Sequence, residues 1–122
     1  MGTVTLTNQN NPIGTKVVKI QAPNNSADAN FTGSSGTLFM LQLDNTANSS
    51  ASYFKMCNAT SATVGTTVPD LVIMIPPSAK RVMVMPLGIA FSAGFTAFCV
   101  TAGGTAGTTS PSSAVVVYAI IG

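Results

Sequence analysis

Apolar and polar positions along this chain change places every one or two residues, in short runs separated by turn-forming residues. Thr3–Thr7 (TVTLT) sets Val4 and Leu6 against three threonines, the alternation of a half-buried strand or an extended arm. Asn8–Gly14 (NQNNPIG) is turn chemistry, because Asn tolerates left-handed backbone while Pro and Gly punctuate. Residues 1–14 are therefore read either as a first strand with its turn or as an extended N-terminal arm. Lys16–Gln21 (KVVKIQ) is a strand with Lys16, Val18 and Ile20 on one side. Thr37–Leu43 (TLFMLQL) sets Leu38, Met40 and Gln42 against Phe39, Leu41 and Leu43. Ser52–Cys57 (SYFKMC) turns Phe54 and Met56 inward if Tyr53, Lys55 and Cys57 face outward. Leu71–Ile75 (LVIMI) is continuously apolar and is stopped by Pro76–Pro77, since proline cannot donate to a ladder. Lys80–Met85 (KRVMVM) reads as its partner, closed by Pro86–Leu87–Gly88 and followed by a short Ile89–Phe91 segment.

The last two runs differ from the rest. In Phe95–Val100 (FTAFCV), Phe95, Ala97 and Cys99 share one face, Phe98 and Val100 the other, and only Thr96 is polar. In the final run, Val115, Val117, Ala119 and Ile121 oppose Val116, Tyr118 and Ile120. A strand apolar on both faces is covered on both, by its own domain or by another chain. The expected fold is all-β: a single-domain antiparallel β-sandwich over residues 1–122, jelly-roll-like, with eight or nine short strands. No segment carries apolar residues at helical spacing between caps. Val82–Val100 is nineteen residues without a charge, but Pro86, Gly88, Ser92, Gly94 and Thr96 interrupt it, so no membrane helix is expected.

Two longer connections change the picture. Ala22–Gly36 is polar apart from a lone aromatic, and it reads as a solvated loop pinned by Phe31 or as a contact loop. Asn58–Pro69 is nearly as long and nearly uncharged. The whole chain follows that trend, with 7% charged residues against a usual ~25%. Its surface must be built of Thr, Ser, Asn and Gly, and a net charge of +2 gives no footprint for neutralising phosphates, so no nucleic acid is expected as a partner.

Catalysis lacks its usual parts. The chain has no His and no Glu, and its three acids, Asp28, Asp44 and Asp70, are far apart, with Asp44–Asn45 and Asp70 reading as turn residues. Two cysteines fall short of a soft metal site, and no spacing resembles a calcium loop, so no metal or cofactor is expected. Gly103, Gly104 and Gly107 lack the Lys-Ser/Thr and the helix of a phosphate loop. The N-terminus has no signal-peptide pattern, so Cys57 and Cys99 are expected as free thiols in the core. Lys80–Arg81 is the single basic pair, a gatekeeper against edge aggregation or a contact to an acidic partner.

From Asp44 to Gly122 the chain resembles small virion structural proteins of tailed bacteriophages, cyanophages included. The resemblance lies in Tyr53-x-Lys55, Asn58, Thr63-Val64-Gly65-Thr66 and Pro69, then the Pro-Pro turn and Gly88-x-x-Phe91-x-x-Gly94. It continues through the Gly/Thr-rich loop to the Val-rich last strand. It implies a capsid decoration (cement) protein: a β-sandwich module, a homotrimer, bound to the major capsid protein on the outer surface of the virion after synthesis in the host cytoplasm. The alternative is a fibre- or tail-associated module recognising a receptor or glycan, although with no Trp and Tyr only at 53 and 118 an aromatic platform is thin. Candidates for the contact between copies are Phe95, Phe98, Val100, Val116, Tyr118 and Ile120. Candidates for the capsid contact are Phe31, Lys80 and Arg81.

Overall fold

The computed structural model describes residues 1–8 and 13–122. Among them eight strands run in the order β1 (Thr3–Asn8), β2 (Lys16–Gln21), β3 (Gly36–Asp44), β4 (Ser52–Asn58), β5 (Leu71–Ile75), β6 (Lys80–Phe91), β7 (Phe95–Val100) and β8 (Val116–Ile121), with no helix. Every pairing is antiparallel, and the strands form a five-stranded sheet, β1-β2-β8-β3-β6, and a three-stranded one, β5-β4-β7. Thr3–Asn8 is thus a paired strand along the whole of β2 rather than a free arm; the rest of the expected turn, 9–12, lies outside the described residues.

The two sheets pack through their period-two faces. Val18, Ile20, Leu38, Leu41, Leu43, Val117, Ala119 and Ile121 from the large sheet meet Phe54, Met56, Ile73, Ile75, Phe95, Ala97 and Cys99 from the small one in a single core. Such alternation places each strand's apolar half in the layer between sheets. The free edge of β7 is covered by the polar loop: Asp28 and Ala97 exchange both backbone hydrogen bonds, Phe31 N–H donates to Phe95 O at 3.0 Å, and Cys99 N–H donates to Asn24 O at 3.1 Å. Counting residues 24–31 as a rudimentary strand, the layers read β2-β8-β3-β6 and (24–31)-β7-β4-β5, the strand order of a jelly roll with β1 added outside β2.

Strand β6 is longer than its sequence promises. Pro86–Leu87–Gly88 does not end it: Met40 pairs with Val84 and Leu38 with Ile89, so Met85–Gly88 is looped out opposite Phe39 alone. Ile89–Phe91 therefore continues β6 instead of standing as a separate segment. Gly88 has φ +74°, and a Cβ there would drive into the Thr37 methyl and lie 2.9 Å from the Phe39 ring. Only glycine fits both the backbone and the space. Gly88→Val is expected to cost about 2–3 kcal/mol, read as a lower urea midpoint; an unchanged midpoint would show that the bulge accepts a side chain.

Candidate contact surface

The expected contact residues divide sharply. Phe95, Phe98 and Val100 are buried within the chain itself, as is every residue of β7. Phe95 faces the core between sheets, stacked on Phe31 with ring centroids 5.7 Å apart and tilted against Phe91 with centroids 4.1 Å apart. Phe98 and Val100 face the other way, into a smaller cluster with Cys57, roofed by Ala27, Ala59, Ala62 and Val64. The second apolar face of β7 is thus covered by this chain's own loops, which removes these three residues from any contact between copies. Phe31 is half-buried against Phe95, so it anchors its loop.

Val116, Tyr118 and Ile120 lie on the outer face of the large sheet. Register places them in rows across it: Gln21–Val116–Asp44–Lys80, Lys19–Tyr118–Gln42–Val82, and Val17–Ile120–Met40–Val84. One end of this face is polar, with the Lys80 ammonium 3.7 Å from Asp44 Oδ2. Lys19 Nζ stands 5.6 Å from the Tyr118 ring centroid, a cation–π contact. The other end is aliphatic. Val82 is 62% exposed and Val84 57%, while Val17, Met40 and Ile120 are half-buried.

Lys80 and Arg81 open β6 and are both exposed. Arg81 Nη1 donates to the Met74 carbonyl of β5 at 2.7 Å, so the guanidinium covers the edge of the small sheet, as a gatekeeper would. Strands β5 and β6 are the unpaired edges of their two sheets, and this Arg81 bond places them side by side. Six of the ten large exposed apolar side chains among the described residues lie on or near these two strands: Val72 and Met74 on the outer face of the small sheet, Val82 and Val84 on the outer face of the large one, Leu87 in the β6 bulge and Val68 ahead of β5.

Two polar sites escaped sequence reasoning. Lys55 is fully buried: its ammonium donates to the Gly104 carbonyl at 2.7 Å and lies 5.9 Å from the Phe98 ring. Desolvation holds its pKa below the usual lysine range, only partly offset by the neighbouring Cys99 thiol. Asn45, expected as a plain turn residue, forms with Asn48 and Ser52 a buried amide cluster that ties the β3–β4 turn to the β5–β6 turn and to Ser112–Ser113. Nothing in the short motif DNTANSS distinguishes a hub from a solvated turn. Asp44 behaves as read, accepting from Thr46 N and Oγ1, bonds that lower its pKa.

Among the described residues, no group of three or more His, Cys, Asp or Glu could hold a metal ion, and both cysteines are free and buried. Among the same residues, no helix is long and apolar enough to cross a membrane. An open polar cavity of about 390 Å³ is lined by Asn48, Ser50, Ser52, Thr101, Thr109 and Ser112, with no aromatic side chain. No match was found among protein-family models, curated proteins or solved structures.

Proposed function

We propose that this chain is a structural component of a virion, a decoration (cement) protein that binds an assembled phage head from outside and reinforces it. The observation that carries the reading is a sandwich that bears almost no charge yet exposes Val72 and Met74 on edge strand β5 and Val82, Val84 and Leu87 on edge strand β6. Such a surface makes close contact without desolvating ions, and many weak copies on a lattice add to a strong shell. The sequence resemblance points the same way. In this reading the major capsid protein is the partner, Lys80 reaches an acidic group on it, and the homotrimer uses the outer face around Val116, Tyr118 and Ile120. Each copy would be made in the host cytoplasm and end on the outer surface of the virion, and no catalytic step is involved.

The test is to mix the purified protein with emptied, undecorated heads of a phage whose genome encodes it. Co-sedimentation and regularly spaced extra density in electron micrographs are expected, and heads that stay bare would sink the proposal. Binding to a glycan array with no binding to heads would instead favour a receptor-recognising module on a fibre or tail.

A further inference from the structure

The open cavity between the β3–β4 turn and the β7–β8 loop combines a fixed polar floor with a rim of unused hydroxyl groups. Asn48 and Ser52 form the floor, both more than nine-tenths buried. The Asn48 amide is saturated: its nitrogen donates to Asn45 Oδ1 and Ser113 O, and its oxygen accepts from Ser112 Oγ and the Ser113 N–H. Ser52 Oγ gives its proton to Asn45 Oδ1 and keeps its lone pairs. The floor therefore stays in place whether or not anything lies on it.

The walls are held as well. Thr101 N–H donates to Thr109 O at 2.9 Å, which closes the glycine-rich loop on itself. Asn25 ties that loop to the 24–31 segment, its Nδ2 donating to Thr108 O at 2.8 Å and its N–H to Ser110 Oγ at 3.0 Å. On the rim, the hydroxyls of Ser50, Thr101 and Thr109 meet no partner among the described residues, and Ser110 Oγ, which accepts from Asn25, still has its own proton to give. A hydroxyl is both donor and acceptor, so the rim can answer either kind of group.

This lining selects by chemistry. It contains no charged side chain, so an ion would lose hydration there without meeting a counter-charge. A wholly apolar molecule would leave the hydroxyls unpaired beneath it. A neutral molecule that spreads hydroxyls over an aliphatic frame suits both conditions, and Ala51 and Pro111 offer aliphatic contact for such a frame. The volume, about 390 Å³, lies within the roughly 300–1,000 Å³ of small-molecule sites and has room for one sugar ring. We propose that this cavity binds a single residue of a neutral saccharide, its ring hydroxyls exchanging hydrogen bonds with Ser50, Thr101, Thr109 and Ser110 and its C–H face resting on Ala51 and Pro111. With no aromatic ring to stack on, a few hydrogen bonds set the affinity, which is roughly millimolar. Attachment to a phage head is no part of this contact, so sugar titration and mixing with heads succeed or fail independently.

Amide NMR shifts of the nitrogen-15-labelled protein, titrated separately with glucose, galactose, mannose and N-acetylglucosamine, test it. At least one sugar is expected to move the amides of Ser50, Ala51, Ser52, Thr109, Ser110 and Ser112 saturably. Ser50→Ala and Thr109→Val combined in one chain are expected to weaken that sugar roughly tenfold or more. Neither hydroxyl bonds to a described residue, so this variant is expected to keep the wild-type urea midpoint. Thr5→Val on β1 serves as control and is expected to leave the titration unchanged. Three results each overturn the proposal: no saturable shift from any of these sugars up to about 100 mM, far above the expected constant; shifts that glycerol at the same concentration reproduces; or an affinity that the double variant leaves unchanged.

Discussion

Asn45→Ala is expected to lower stability by about 3–5 kcal/mol, a large part of what a domain of this size has to lose. The side chain is fully buried at a crossing of three chain segments. Its amide donates to the carbonyls of Ser50 at 3.0 Å, Pro76 at 3.0 Å and Ile75 at 3.4 Å, and its oxygen accepts from Asn48 Nδ2 at 2.9 Å and Ser52 Oγ at 2.8 Å. Alanine would strand several of these groups away from water, and each buried, unpaired polar group costs about 1–3 kcal/mol. Two of the carbonyls belong to Ile75 and Pro76, where β5 ends, so the loss also frees the turn that leads into β6. Urea titration reads the effect as a lower midpoint. Asn45→Asp separates the causes: it keeps the size, removes both donors and sets a carboxylate against three carbonyls. It is expected to cost at least as much as alanine. A stability equal to wild type for either variant would mean that water replaces the amide.

The placement of Asn45 illustrates what the chain discloses by itself and what it does not. Period-two patterns located the strands and separated Val117, Ala119 and Ile121 from Val116, Tyr118 and Ile120, because alternation is a local property. The turn chemistry of Asp44 was equally plain, and Phe31 pins its loop as its isolation among polar residues implied. The failures all involve contacts between distant segments. Alternation put Lys55 on the outward face of β4 correctly, yet Gly104, 49 residues further along the chain, closes over it, so facing outward did not mean meeting water. Phe98 and Val100 were left between core and interface because nothing local says that Ala59, Ala62 and Val64 fold across them. MPLG reads as a strand stop, and only pairing with β3 on both sides of Phe39 makes it a bulge inside one strand. Lys80–Arg81 does open the edge strand β6, whereas Leu87, read with Pro86 and Gly88 as the end of the strand, lies in a bulge within it.

The strongest pH effect is expected in the alkaline range, where two neighbours on the covered side and core side of the small sheet oppose each other. Burial pushes the Cys99 thiol up from 9.0 to about 12, the nearby Lys55 ammonium relieving only part of the shift. Between those values the folded chain holds a proton that the unfolded chain has lost, so stability falls as pH rises, by about 4 kcal/mol across the window. Cys57, also raised by burial, acts in the same direction. Lys55 acts against them. Its folded pKa lies below the unfolded 10.5, so up to pH 10.5 the unfolded chain holds the extra proton and stability rises with pH. The lysine's gain is complete by 10.5, whereas the loss from Cys99 continues to about 12. Wild-type urea midpoints are therefore expected to fall steeply above pH 10.5, and Cys99→Ala, though weakened at neutral pH by its small cavity, to show a much shallower decline. Lys55→Met tests the other arm. It removes a buried charge without a carboxylate partner, and it frees the Gly104 carbonyl on an exposed loop residue where water can reach it. At pH 7 the variant is expected to be more stable than wild type and to lose the rise toward pH 10.5. A lower midpoint at pH 7 would show that the bond to Gly104 and the contact with Phe98 outweigh the desolvation of the ammonium.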